Sequence, residues 1–275
     1  MRIYLKDRMR LISIIFTAIF IVVLPYKGSC QPIINSRVPF QKSSINNDTL
    51  TWHRPRFSER QKERDQMVDK NIKKKGVTDP KVLDAMRHVP RHMFIPEQYQ
   101  KFAYQNIPVP IGHGQTISQP YIVAYMTQIL DLKAGEKVLE VGTGSGYQAA
   151  ILSEITPYVY TIEIIPALAN KAMFRFEKLG YATIKTKIGD GYKGWAEYAP
   201  FDAIILTAAA EKIPQPLIDQ LKPGGIMVMP IGDISETQQL TKVTKSKDGK
   251  IHIERKLPVR FVPMTGKNQD NNEHH

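Results

Sequence analysis

The stretch that most constrains this chain is Val138-Leu139-Glu140-Val141-Gly142-Thr143-Gly144-Ser145-Gly146-Tyr147. A short apolar strand runs into a turn with glycine at alternate positions, and a helix is predicted from Tyr147 to about Ile155. Glycines in this pattern let the backbone turn tightly and let a ligand approach where a Cβ would clash. The helix start adds unpaired N–H groups directed at whatever lies over the turn. Strand, glycine turn and helix in this order seat a nucleotide-like cofactor. The spacing is G-x-G-x-G, without the longer G-x-G-x-x-G spacing that seats a pyrophosphate.

Around this stretch the chain alternates strand and helix. Strands are predicted over 159–162, 183–188, 203–207 and 226–229, with helices over 166–179 and 216–221. Such alternation gives an α/β fold with a doubly wound, Rossmann-like parallel sheet and helices on both faces. A terminal hairpin, 238–246 and 250–262 joined through Asp248-Gly249, adds antiparallel strands. Upstream, a largely solvated helix is expected over 57–75. A second, capped by Thr78-Asp79-Pro80, carries the stripe Val82, Leu83, Met86 and Val89. The proline-rich 107–112 reads as extended, and Pro120 starts a helix to Leu130.

Charge divides the chain. Residues 1–75 hold 16 Lys/Arg against 6 Asp/Glu, and residues 76–275 hold 22 against 20. The folded part is nearly neutral, so a basic groove for nucleic acid is not expected. Residues 1–30 read as a signal peptide or N-terminal anchor. Arg2, Lys6, Arg8 and Arg10 precede a 14-residue apolar run, Leu11 to Leu24, which Pro25 and the small residues Gly28-Ser29-Cys30 follow. The run is short for a membrane span. A lipid-anchored Cys30 is a third reading. A disordered linker is expected over 31–60, a catalytic domain over 61–265, and a polar tail over 266–275. The tail's His274-His275 is read as tail, and no metal site is expected. Cys30 is the only cysteine, so no internal disulfide can form.

Ligands on such sheets lie beyond the strand carboxyl ends. Gly142, Glu163, Asp190 and Thr207 fall at four such ends and should converge on one crevice. Glu163, 21 residues after Gly142, can accept hydrogen bonds from ribose hydroxyls. Asp190 can reach an adenine edge. Either acid alone would pass for a solvated loop residue. Glu140, before the turn, disfavours a phosphate and suits a cation, which points to S-adenosyl-L-methionine with its sulfonium and ammonium.

The chain resembles the protein-L-isoaspartate O-methyltransferases. The resemblance spans about Val77 to Pro263. It is carried by Val89-Pro90-Arg91 with Phe94, Gln115-Thr116-Ile117-Ser118-Gln119-Pro120, the glycine turn, Gly189-Asp190-Gly191, Ala208-Ala209-Ala210, the run from Pro214 to Gly225, and Arg260-Phe261-Val262-Pro263. It implies methyl transfer from S-adenosyl-L-methionine to the free α-carboxyl of L-isoaspartyl residues in damaged proteins and peptides. The ester then closes to a succinimide whose hydrolysis restores aspartate. It assigns Ser118 to the active site and Thr116 to substrate binding. Gly142, Thr143, Gly144, Glu163, Asp190 and Gly191 go to the cofactor, with Glu140 ordering the loop or meeting the methionine end. Ser118 is otherwise a cap for the Pro120 helix. A carboxylate is ionised at neutral pH and needs no general base, so His113 is given no role. A monomer is expected. The leader predicts export to the periplasm or beyond, whereas the family's usual enzyme is cytoplasmic. Contact with a membrane is expected only through that leader, if it is retained.

Overall fold

A computed structural model describes residues 52–233 and 235–266. The expected leader, most of the linker and all but the first residue of the tail lie outside the described residues.

The elements are α1 (Gln61–Met67), α2 (Pro80–His88), β1 (Val109–Gly112), β2 (Gln115–Ile117), α3 (Pro120–Leu130), β3 (Val138–Val141), α4 (Tyr147–Ser153), β4 (Val159–Glu163) and α5 (Pro166–Leu179). They continue with β5 (Lys185–Ile188), β6 (Phe201–Leu206), α6 (Gln215–Gln220), β7 (Leu221–Ile231), β8 (Gln238–Lys245) and β9 (Ile251–Val259). Seven strands form one sheet in the order β5-β4-β3-β6-β7-β8-β9. The β3/β4, β4/β5, β3/β6 and β6/β7 pairs are parallel, and β8 and β9 add antiparallel. The chain winds outward from β3 to β5, then crosses back to β6. The switch point therefore lies at the carboxyl ends of β3, β4 and β6.

β3 and β4 are buried at every position, as central parallel strands covered on both faces must be. One apolar cluster, with Ile122, Met126 and Leu130 of α3 and Phe176 of α5, covers one face. Leu139, Ile204, Leu217 and Met229 belong to a second cluster. Each such fully buried side chain contributes roughly 1.5–3 kcal/mol. Local chemistry sets the helix ends. Asp79 accepts the Lys81 N–H at 2.8 Å, Pro120 and Pro166 open α3 and α5, and Gly180 closes α5 at φ 81°.

Several features differ from the sequence reading. Residues 52–60, expected as linker, lie on the domain. The Trp52 indole donates to the Ser153 carbonyl at 2.9 Å, and Arg56 pairs with the buried Glu154 at 2.9 Å. The helix expected over 57–75 is shorter at its start, and after Met67 it passes into a π turn and a 3-10 turn. Its Arg64 is fully buried, because its guanidinium donates to the Arg87, Glu59 and Phe57 carbonyls. The segment 115–117 is a strand that pairs antiparallel with β1, Val109 opposite Ile117. β7 begins at Leu221, before Pro223-Gly224-Gly225, which the sheet accommodates as a register shift against β6.

Candidate active site

The glycine turn leaves β3 at the switch point. Gly142 has φ 101°, and a Cβ there would lie 2.5 Å from the Thr207 hydroxyl, which donates to the Gly142 carbonyl at 2.6 Å. Gly146 has φ 88° and packs against the Phe176 ring. Any side chain at either position would push the turn off the sheet. Glu163 ties this turn to the next one. Its carboxylate accepts the Gly144 N–H at 2.7 Å and the Ile165 N–H at 2.9 Å.

A crevice opens over these strand ends. Its walls include Thr116, Ser118, Glu140, Gly142, Thr143, Gly144, Glu163, Gly191 and Thr207. These come from β2, β3, β4 and the loops after β2, β3, β5 and β6, so residues 91 positions apart in sequence meet. Asp190 is not among the walls. It sits one residue outside them, with its carboxylate accepting the Tyr192 N–H at 3.0 Å. Ser118 does not cap α3, whose N-cap is Gln119 with no side-chain bond. Thr116 is exposed on β2. His113 lies at the hairpin tip with φ 54°, outside the crevice.

Glu140 lies at the bottom. It is fully buried, and Oε2 accepts the Thr161 hydroxyl, itself 2.6 Å from the Thr143 hydroxyl. Its Oε1 is buried with no hydrogen-bond partner among the described residues. Burial pushes this carboxyl up to about 8, the Thr161 hydrogen bond opposes the rise, and the Glu163 charge adds to it. At neutral pH the carboxyl is therefore protonated, and the fixed negative charge read from sequence is latent.

The Val89-Pro90-Arg91 segment with Phe94, singled out by the resemblance without a role, supports the turn from behind. Arg91, in the Val89-Pro90-Arg91 segment, is fully buried, donates from Nε to the Ala103 carbonyl at 2.9 Å, and stacks 4.9 Å over the Tyr147 ring. Phe94 meets the same ring edge-on at 5.6 Å. This segment holds the first residue of α4 and takes no part in the crevice wall. The sequence reading missed Met264 and Thr265, which close the crevice from beyond the last strand. Their segment is fixed by the Ala209 N–H to the Val262 carbonyl at 2.8 Å, and by the Met264 N–H to the Ala209 carbonyl at 2.7 Å.

Residues 62–269 match the family model described as protein-L-isoaspartate(D-aspartate) O-methyltransferase. The chain belongs to this family. It is 53% identical over 206 residues to a protein-L-isoaspartate O-methyltransferase of Opitutus terrae, covering 75% of this chain and 88% of that one. It is 56% identical over 205 residues to protein-L-isoaspartate O-methyltransferase 1 of Nitrosospira multiformis, covering 74% and 87%. Among solved structures it is similar to a Plasmodium falciparum protein-L-isoaspartate O-methyltransferase in complex with S-adenosyl-L-homocysteine. That match has a TM-score of 0.64 at 28% identity and covers 74% of this chain and 98% of that one. The chain is thus an S-adenosyl-L-methionine-dependent protein carboxyl methyltransferase of Rossmann-like fold, acting on isoaspartyl residues.

The crevice fits that cofactor. Among the described residues its walls hold no Lys, Arg or His, and its two acidic groups are Glu140 and Glu163. A phosphate would find no cationic side chain among these described walls. A cation would give the orphaned Glu140 Oε1 the partner it lacks.

Proposed function

We propose that this crevice divides the methylation of isoaspartyl carboxyls between two walls. Gly142, Thr143, Gly144 and Gly191 hold the cofactor, Glu163 receives its ribose hydroxyls, and Glu140 faces its cationic methionine end. Thr116 and Ser118 hold the acceptor carboxylate. When bound, the cofactor supplies an activated methyl group. The observation that carries this reading is that Thr116 and Ser118 line both the crevice of the glycine turn and a second cavity next to it. Two hydroxyls therefore stand between the donor side and an acceptor side.

The acceptor is already ionised at neutral pH, so the residues orient and desolvate and no side chain has to take a proton. This agrees with a site whose hydroxyls have no His partner on the walls. The test is incubation with labelled S-adenosyl-L-methionine and paired isoaspartyl and aspartyl peptides. Labelling of the isoaspartyl peptide alone is expected, and equal labelling of both, or of neither, refutes the reading. Ser118→Ala should lower turnover at least about tenfold while leaving cofactor affinity unchanged.

We also propose that the protein is a monomer exported through its leader. The charge, apolar run and small-residue site in 1–30 support export. N-terminal sequencing from the native host should begin near Gln31, and retention of Met1 with cytoplasmic recovery would overturn it. Light scattering should give one chain per particle.

A further inference from the structure

The second cavity has a wall that the roles above do not use. It shares Thr116, Ser118, Thr207 and Val262 with the cofactor crevice, so the two are neighbours across these residues. Much of its remaining wall is apolar, including Ile122, Pro258, Val259 and Phe261. Among the described residues Arg260 is its one charged wall residue. None of the ion pairs among the described residues involves Arg260.

The backbone on either side of this arginine is fixed. Val259, the last residue of β9, pairs with Gln238, and the Phe261 N–H donates to the Gln238 side chain at 2.9 Å. Gln238 is itself buried. One residue on, the Val262 carbonyl accepts the Ala209 N–H. Val259 is buried and Arg260 is exposed. The chain thus leaves the sheet at a hydrogen-bonded corner and presents a cation that has no ion pair among the described residues to a cavity with largely apolar walls.

An anionic acceptor entering such a cavity loses water. Hydroxyls can replace some of its hydrogen bonds, but only a cation compensates its charge. We infer that Arg260 is the substrate-binding residue that pairs with the isoaspartyl carboxylate in the acceptor cavity. The inference rests on the methyltransferase reading of Thr116 and Ser118. Pairing holds the carboxylate in the ground state and so acts on binding. The same charge separates substrate from product, because the methyl ester is neutral and loses the attraction.

The test is a cycle of two proteins and two peptides. The peptides are identical except that one carries an isoaspartyl α-carboxylate and the other its neutral α-carboxamide. Binding of each, fluorescently labelled, is read by anisotropy with S-adenosyl-L-homocysteine present, so that no turnover occurs. Wild type should prefer the carboxylate by about 10- to 100-fold, the range of a charge-assisted hydrogen bond. In Arg260→Gln that preference should fall to a few-fold, and Arg260→Lys should restore part of it. In turnover, Arg260→Gln should raise KM for the isoaspartyl peptide by a similar factor and keep kcat within several-fold. Raising salt should weaken wild type and leave Arg260→Gln nearly unaffected, since the charge is exposed. An unchanged melting temperature and cofactor affinity would show the variant intact. A preference that persists in Arg260→Gln, or a loss confined to kcat, overturns the inference. Failure of the underlying reading is separate, because wild type would then label isoaspartyl and aspartyl peptides alike.

Discussion

Raising the pH should loosen the ligand-free protein and tighten its hold on cofactor by the same amount, through Glu140. Burial moves this carboxyl from an ordinary 4.5 to about 8. Between those values the folded state keeps a proton that the unfolded chain has released. Stability is therefore lost as pH rises from the unfolded value and levels off above the folded one. Across pH 6.5–8.5 the loss amounts to about 2 kcal/mol. Over the same range the group goes from mostly protonated to mostly ionised, so a cation that binds only the ionised form gains roughly 10- to 30-fold in affinity. That factor is again about 2 kcal/mol. The two are equal because both measure the removal of one proton from one buried oxygen.

Two measurements follow. Urea unfolding of the ligand-free protein should show stability falling across pH 6.5–8.5, while protein in excess S-adenosyl-L-homocysteine should stay nearly level. Titration calorimetry in two buffers of different ionisation enthalpy should show release of close to one proton per cofactor at pH 7. Glu140→Gln should abolish both slopes. The groups that face Glu140 do not mimic the effect. Thr143 and Thr161 do not titrate, Glu163 only raises its neighbour further, and burial drives the Tyr147 phenol upward. Ligand-free stability that is flat in this window, or a slope shared by wild type and Glu140→Gln, would refute the reasoning.

Other substitutions probe the supports of the site. Glu163→Gln should weaken S-adenosyl-L-homocysteine at least about tenfold by calorimetry, since a neutral amide accepts weaker bonds from hydroxyls and from the Gly144 N–H. Gly146→Ala puts a Cβ 2.7 Å from the Phe176 ring at φ 88°, and should lower stability by about 1–3 kcal/mol in urea unfolding. Arg56→Ala removes the cation beside Glu154, whose side chain is 1% exposed. Because Arg56 is itself partly exposed, the loss should be roughly 1–2 kcal/mol. Burial already raises the Glu154 carboxyl against the opposing charge of Arg56, so the loss should grow as rising pH ionises the group and shrink as falling pH protonates it.

Elements that depend on local chemistry were legible in the sequence. Pro166 and Gly180 bound α5 where expected, Asp79 caps α2, and the apolar 159–162 is a central strand. What was not legible depends on partners far along the chain. The three residues of β2 have no alternation long enough to read, and they become a strand only because β1 pairs with them. Pro223-Gly224-Gly225 carries turn signals that a register shift absorbs inside β7. Trp52 and Arg56 read as linker because the groups they meet, Ser153 and Glu154, lie about a hundred residues away. Charged residues misled for the same reason. Arg64 and Arg91 are buried by carbonyls and a ring that no spacing rule brings to them.

Glu140 shows how far the site itself could be read. Residue type and position put a carboxyl ahead of the glycine turn, and the absence of a pyrophosphate spacing pointed to a phosphate-free ligand. Sequence does not report solvent exposure, and full burial of the group changes its protonation and therefore the sign of its pH dependence. A carboxylate exposed at that position would attract any cation at any pH above its ordinary range. A buried, protonated one repels nothing while the crevice holds only water, and it becomes a charge when a cation arrives to stabilise it. The glycine turn thus leaves room for the ligand, and the strand beneath it holds the charge in reserve. That is why the pH profile of Glu140→Gln tests the site more sharply than its loss of affinity alone.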